Sequence, residues 1–189
     1  MNQTVLLLID LQRDFLEAQG RLPVPSADAD RVIGVANRMI EHAQKAGWTM
    51  IWIKNEFLWT QLLGNFSRKF AAIRGSRGSE IDPRINCSTE FKMVVKCEAD
   101  GFSNTQLDVA LKGLAPQRIV VLGLMTDECV QETTKGAIDR GYRVEVVEDG
   151  VASMNDADHE KGLANIRECG ATLKQSAEIL REFLGEPRT

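Results

Sequence analysis

Short apolar runs recur along the chain, and between them the apolar positions fall three or four residues apart. Residues 5–9 (VLLLI), 49–53 (TMIWI), 91–95, 119–122 (IVVL), 142–147 and 171–174 read as strands, several of them continuous enough to be covered on both faces. Val32, Val35, Ala36, Met39, Ile40 and Ala43 mark one face of a long helix that opens at Ser26 or Asp28 and closes at Gly47. Leu107, Ala110 and Leu111 mark a second helix. Further helices are predicted over 58–70, from the first turn around Thr126 to Gly141, over 156–169 and over 176–184, with 74–82 (RGSRGSEID) as a loop. Strands alternating with helices predict an α/β fold with three layers, α/β/α, around a six-stranded, mostly parallel sheet. Residues 1–189 are read as a single domain, with no internal repeat and no linker. The Rossmann-like strand order 3-2-1-4-5-6 would set the first and fourth strands side by side at the point where the sheet reverses direction.

Composition narrows the function classes. Hydrophobic residues are 43% and charged residues 26%, ordinary for a globular chain, and the net charge of −4 gives no basic surface for nucleic acid or an anionic membrane. No apolar run approaches the roughly 20 residues of a membrane span. No basic segment followed by a long apolar region opens the chain, so no signal peptide and a cytoplasmic location are expected. Cys87, Cys97, Cys129 and Cys169 are scattered without a C-x-x-C pair, which favours reduced thiols over a disulfide framework or a zinc site.

Candidate chemistry gathers at strand ends. Asp10 directly follows the first strand and Lys96 the third, both at the carboxyl edge where ligands of such sheets bind. In 118–147, Gly123 is expected to end the fourth strand, Thr126 and Asp127 to cap the next helix, and Cys129 to fall in its first turn. A thiol there feels the positive end of the helix dipole, which favours thiolate, and the first-turn amides suit an oxyanion. Against this, most cysteines are small core hydrophobes, Asp is a common turn residue, and a lysine commonly ends a strand at solvent. His42 and His159 lie on helices. The basic residues of 68–84 are expected mainly as a solvated loop, with attraction of an anionic substrate as the alternative.

Together, IDLQRDFL (9–16), GSEIDP (78–83), Lys96 followed by GFSNTQLD (101–108), and the G-x-x-T-x-x-C-V run that opens residues 123–153 resemble the isochorismatase-like cysteine hydrolases over nearly the whole chain. The resemblance implies a triad of Asp10, Lys96 and Cys129, with Cys129 as nucleophile, Asp10 moving its proton and Lys96 holding the charges. It also implies a cis peptide between Leu124 and Met125 and an oxyanion hole from the Met125 and Cys129 amides. The reaction implied is C–N hydrolysis of a small amide or ureido substrate through a thioester, by a homo-oligomer that needs no cofactor. Nicotinamidases of this family bind a metal through an Asp-x-His pair after the second strand. Here that place reads Asn55, Glu56, Phe57, so neither a metal site nor nicotinamide as substrate is expected. Phe15, Phe57, Trp59 and Phe102 are candidate pocket residues. Vinyl-ether hydrolysis of the isochorismatase type, a redox thiol and a non-catalytic scaffold remain as alternatives.

Overall fold

In the computed structural model, which describes residues 3–87 and 92–183, the apolar runs assemble side by side. β1 (Thr4–Ile9), β2 (Thr49–Asn55), β3 (Lys92–Lys96), β4 (Arg118–Leu124), β5 (Val144–Ala152) and β6 (Thr172–Lys174) form a parallel sheet in the order 3-2-1-4-5-6, as the alternation predicts. The helices are α1 (Arg13–Leu16), α2 (Ser26–Ala46), α3 (Leu62–Ser67), α4 (Thr105–Leu114), α5 (Gln131–Asp139), α6 (Asp156–Glu168) and α7 (Ser176–Phe183). Side chains of β1 alternate between two apolar layers, as strand geometry requires. Leu6 and Leu8 pack with Val32, Met39 and Ile40 of α2 and Ile179 of α7. Val5, Leu7 and Ile9 pack with Leu107 and Leu111 of α4, Ala137 of α5 and Leu163 of α6. No helix among the described residues is long and apolar enough to cross a membrane.

Several boundaries differ from the sequence expectation, each for a local reason. β2 runs two residues further, to Asn55, because its ladder with β3 continues through the pairs Lys54–Val95 and Asn55–Lys96. Gln12 grips this strand end, its Oε1 accepting from the Asn55 amide and its Nε2 donating to the Asn55 carbonyl, both at 2.8 Å. β4 does not stop at Gly123. That residue has φ +132° and lies against the Ile9 backbone, where any Cβ would overlap the carbonyl, so its absent side chain permits strand pairing. β5 passes through Glu148 and Asp149 because the register shifts between Val121 and Gly123 of β4. Asp149 there accepts from the Ser176 amide and hydroxyl at the start of α7. The helix expected over 58–70 shrinks to α3, and the chain beyond it takes positive φ at Lys69, Phe70 and Ala72. Phe91, expected to open the third strand, and Leu184, at the end of the last helix, lie outside the described residues.

Candidate active site

At the carboxyl ends of β1, β2 and β4, where the sheet reverses direction, a cavity of about 480 Å³ opens. Its size is in the usual range for small-molecule sites. Asp10 leaves β1 in the left-handed region, φ 53°, which aspartate tolerates better than most residues. It is 1% exposed. Lys96 brings an equally buried ammonium from the end of β3, two strands away. Its Nζ donates to Asp10 Oδ2 at 2.9 Å, to Cys129 Sγ at 3.0 Å and to the Glu98 carbonyl at 3.1 Å. All three ammonium hydrogens are therefore engaged, and the lysine has one orientation. The long stem of Lys96 thus spans the gap that the strand order leaves.

Cys129 is not in the first turn of a regular helix. It lies in a five-residue π-helical turn, Thr126–Val130, that joins β4 to α5, and the Leu124–Met125 peptide just before that turn is cis. Thr126 and Asp127 do not cap it as expected. The Thr126 hydroxyl pairs with His159 Nδ1 at 2.9 Å, and Asp127 Oδ1 accepts from the Ser153 hydroxyl at 2.6 Å. Gly162 of α6 comes close enough to the turn that a Cβ would stand 2.6 Å from the Asp127 nitrogen. The turn is thus fastened to α6 and to Ser153, just past β5, by contacts far apart in sequence.

Charge is distributed differently from the helix-start expectation. Burial and the neighbouring Asp10 carboxylate push the Cys129 thiol up to about 12, against the opposing pull of Lys96. Burial also raises Asp10 above its ordinary 3.8, although Lys96 and Cys129 act to lower it. For Lys96, burial works against the charge, but the carboxylate and sulfur beside it prevail and raise it from 10.5. Asp10 and Cys129 thus share one proton over a fixed cation, and at rest it sits on sulfur. Asp10 Oδ1 is buried and meets no nitrogen or oxygen donor among the described residues, so it is open to that thiol proton.

Asn55 was not among the sequence candidates. Its Nδ2 donates to Asp10 Oδ2 at 2.7 Å and approaches Cys129 Sγ at 3.5 Å. The available signal was its place: it ends β2 as Asp10 follows β1. Gln12, fully buried, ties the same strand end to the Ser79 carbonyl at 2.9 Å. The loop over 74–82 is consequently not a simple solvated one, since Arg77–Ser79 forms a short turn with Ser79 buried beneath it.

The isochorismatase domain matches residues 4–178. The chain belongs to the isochorismatase family. Nicotinamidase of Escherichia coli (strain K12) is 28% identical over 94% of this chain and 97% of its own. N-carbamoylsarcosine amidase from Thermoplasma acidophilum superposes with a TM-score of 0.79 at 28% identity, covering 92% of this chain and 96% of that one. An isochorismatase-like hydrolase from Alkaliphilus metalliredigens shares the fold with a TM-score of 0.87 at 23% identity, over 96% and 99% of the two chains.

Within this family hydrolase fold, the structure brings Asp10, Cys129, Leu124, Met125, Phe15 and Phe57 to the cavity wall, with Lys96 beneath. Two predicted pocket residues are elsewhere. Trp59 is 64% exposed and leans on Phe70 beside a separate depression, because α3 begins only after it. Phe102 is buried in the α4–α6 layer under the Arg140 guanidinium, 4.1 Å from its ring. His42, on α2, meets the Trp48 ring edge-on just beyond that helix. A metal of the nicotinamidase kind does not fit the residues after β2. Asn55 offers only a neutral amide oxygen where that pair has a carboxylate, Glu56 is paired with Lys54 at 2.6 Å and Arg74 at 3.3 Å, and Phe57 is apolar. Among the described residues no three His, Cys, Asp or Glu side chains cluster as a metal site.

Proposed function

We propose that this chain hydrolyses a C–N bond of a small amide or ureido substrate through a thioester on Cys129. The observation that carries the reading is the Lys96 ammonium held at about 3 Å from both Asp10 and Cys129 at the floor of the cavity. As the carbonyl arrives, the thiol proton passes to Asp10 and sulfur attacks. The Met125 and Cys129 amides receive the oxyanion, and Asp10 returns the proton to the departing ammonia or amine. Water deprotonated by the same carboxylate then releases the acid and restores the thiol. Lys96 stays charged throughout and holds the carboxylate and sulfur in place. Retention of the thiol favours this reaction over vinyl-ether cleavage.

The test is a panel of small amides, ureido acids and isochorismate, with hydroxylamine present to trap an acyl-enzyme as the hydroxamate. A substrate that releases ammonia or amine, yields the hydroxamate and loses turnover by orders of magnitude in Cys129→Ala supports the reading. Turnover of isochorismate alone, retained in Cys129→Ala and lost in Asp10→Asn, replaces it with vinyl-ether hydrolysis.

A further inference from the structure

One wall of the cavity carries a cation for which the proposed chemistry has no use. The stretch 68–84 is rich in arginine, and most of these side chains are neutralised in place. Arg74 pairs with Glu56 at 3.3 Å, Arg77 with Glu17 at 3.2 Å, and Arg84 with Asp82 at 2.7 Å. Arg68 differs. It lines the cavity with Cys129 and has no carboxylate within 4.0 Å among the described residues.

Arg68 is nonetheless held in place. Its guanidinium carbon stands 3.7 Å from the centroid of the Phe57 ring. On the Gly64 side the guanidinium approaches so closely that a Cβ at Gly64 would lie 2.8 Å from Nη2. Nη2 donates to Asn65 Oδ1 at 3.2 Å. Asn65 is itself buried, with its Nδ2 on the Leu58 carbonyl at 2.8 Å. Nε is buried and has no acceptor among the described residues. A guanidinium has five N–H donors, and leaving a buried donor unpaired is costly. Stacking on Phe57 with no counter-ion therefore describes a cation arranged before its partner arrives.

No acidic residue of the same cavity comes within salt-bridge reach of it among the described residues. Asp127 accepts from Ser153 and Asp158 from Asn155, at 2.6 and 2.7 Å. Glu128 attracts Arg68 through space, but burial, with Asp127 and Glu132 beside it, raises its pKa against the pull of Lys96 and Arg68. Burial also holds Arg68 below its ordinary 12.5, which an arriving anion would reverse.

We infer that Arg68 is a specificity-determining residue that takes the carboxylate of a small monoanionic substrate, such as a ureido or amide acid, while its carbonyl lies over Cys129. This deepens the proposed amide and ureido hydrolysis and rests on Cys129 being its nucleophile.

The test compares alkylation of Cys129 by iodoacetate and by iodoacetamide, two reagents of similar size that differ in one negative charge. In each, sulfur displaces iodide, so the rate ratio cancels any change in the thiol itself. Adducts are located by mass spectrometry in the wild type, Arg68→Gln and Arg68→Lys. The expected result is an iodoacetate/iodoacetamide ratio that falls about tenfold or more in Arg68→Gln and recovers in part in Arg68→Lys, which keeps the charge. A ratio equal in all three proteins overturns the inference and leaves the nucleophile assignment standing. Cys129 silent toward iodoacetamide in both the wild type and Asp10→Asn, in which the thiol should ionise more readily, overturns that assignment and, with it, this inference; where only Asp10→Asn reacts, the ratio is read in that background. If Arg68→Gln does not fold, Arg68→Lys decides: a ratio unchanged by 0.15–0.5 M salt in both it and the wild type, conditions that screen charge over roughly a Debye length, also overturns it.

Discussion

Replacing Asp10 by asparagine should make Cys129 a better thiolate and a worse catalyst. Asp10 and the sulfur share the Lys96 ammonium at 2.9 and 3.0 Å, so an ionised sulfur would face an ionised carboxylate across the same cation. Two like charges about 4 Å apart in an effective dielectric of about 20 repel by about 4 kcal/mol. That equals about a thousandfold in acid dissociation. The thiol, pushed up to about 12, would fall back toward the ordinary 9.0 once the carboxylate charge is gone, because burial and Lys96 act on it in opposite directions. Turnover should drop by about 10²- to 10⁴-fold, since asparagine neither accepts the thiol proton nor returns it to the leaving group. The assay is the ultraviolet absorbance of the thiolate across a pH series, taken as Asp10→Asn minus the Asp10→Asn/Cys129→Ala double variant and compared with wild type minus Cys129→Ala. A thiolate already present near neutral pH in the wild type would refute the shared-proton account. An unmoved titration in Asp10→Asn would refute it as well.

The pH dependence of turnover should have one limb. The rate rises with pH through an apparent pKa above the ordinary 3.8 of aspartate, because Asp10 must be ionised to accept the thiol proton. It then stays level through mildly alkaline pH, since Lys96 is raised from 10.5 and Cys129 reaches about 12. A fall in rate between neutral pH and the ordinary thiol value would contradict this. Asn55→Ala removes the 2.7 Å bond to Asp10, and the loss of such a charge-assisted bond, about 1.5–3 kcal/mol, should lower kcat/KM by about 10- to 100-fold. The acid limb should also move up, because the carboxylate loses a donor; a decrease in thermal stability with unchanged kinetics would make Asn55 merely structural. Gly162→Ala places a methyl group against the Asp127 backbone, so unfolding in urea should show a loss of about 1–3 kcal/mol together with reduced kcat. Full stability in that variant would mean that α6 does not press on the turn holding Cys129.

Local periodicity, and the polar residues that follow apolar runs as Asp10 follows Ile9, were enough for the layers and for the side chains at the sheet edge, while the strand order came from likeness to doubly wound sheets. Shared motifs extended this to the cis peptide between Leu124 and Met125. The tertiary structure decided what surrounds those groups. Asn55 reaches Asp10 from a strand end that pairs with Lys96 of β3 and is gripped by Gln12, 43 positions earlier. Trp59 and Phe102 share the aromatic character of Phe15 and Phe57, yet only the latter two line the cavity, since facing depends on packing between distant elements. Local position suggested a thiolate at Cys129 from the nearby helix, whereas the folded protein buries the thiol and places a carboxylate against it, and both raise its pKa. Arg68 is one of several arginines in its stretch, and its lack of a counter-ion exists only once the others have found theirs. Periodicity is written in neighbouring residues, but ionisation and pairing are set by groups that folding brings together from across the chain.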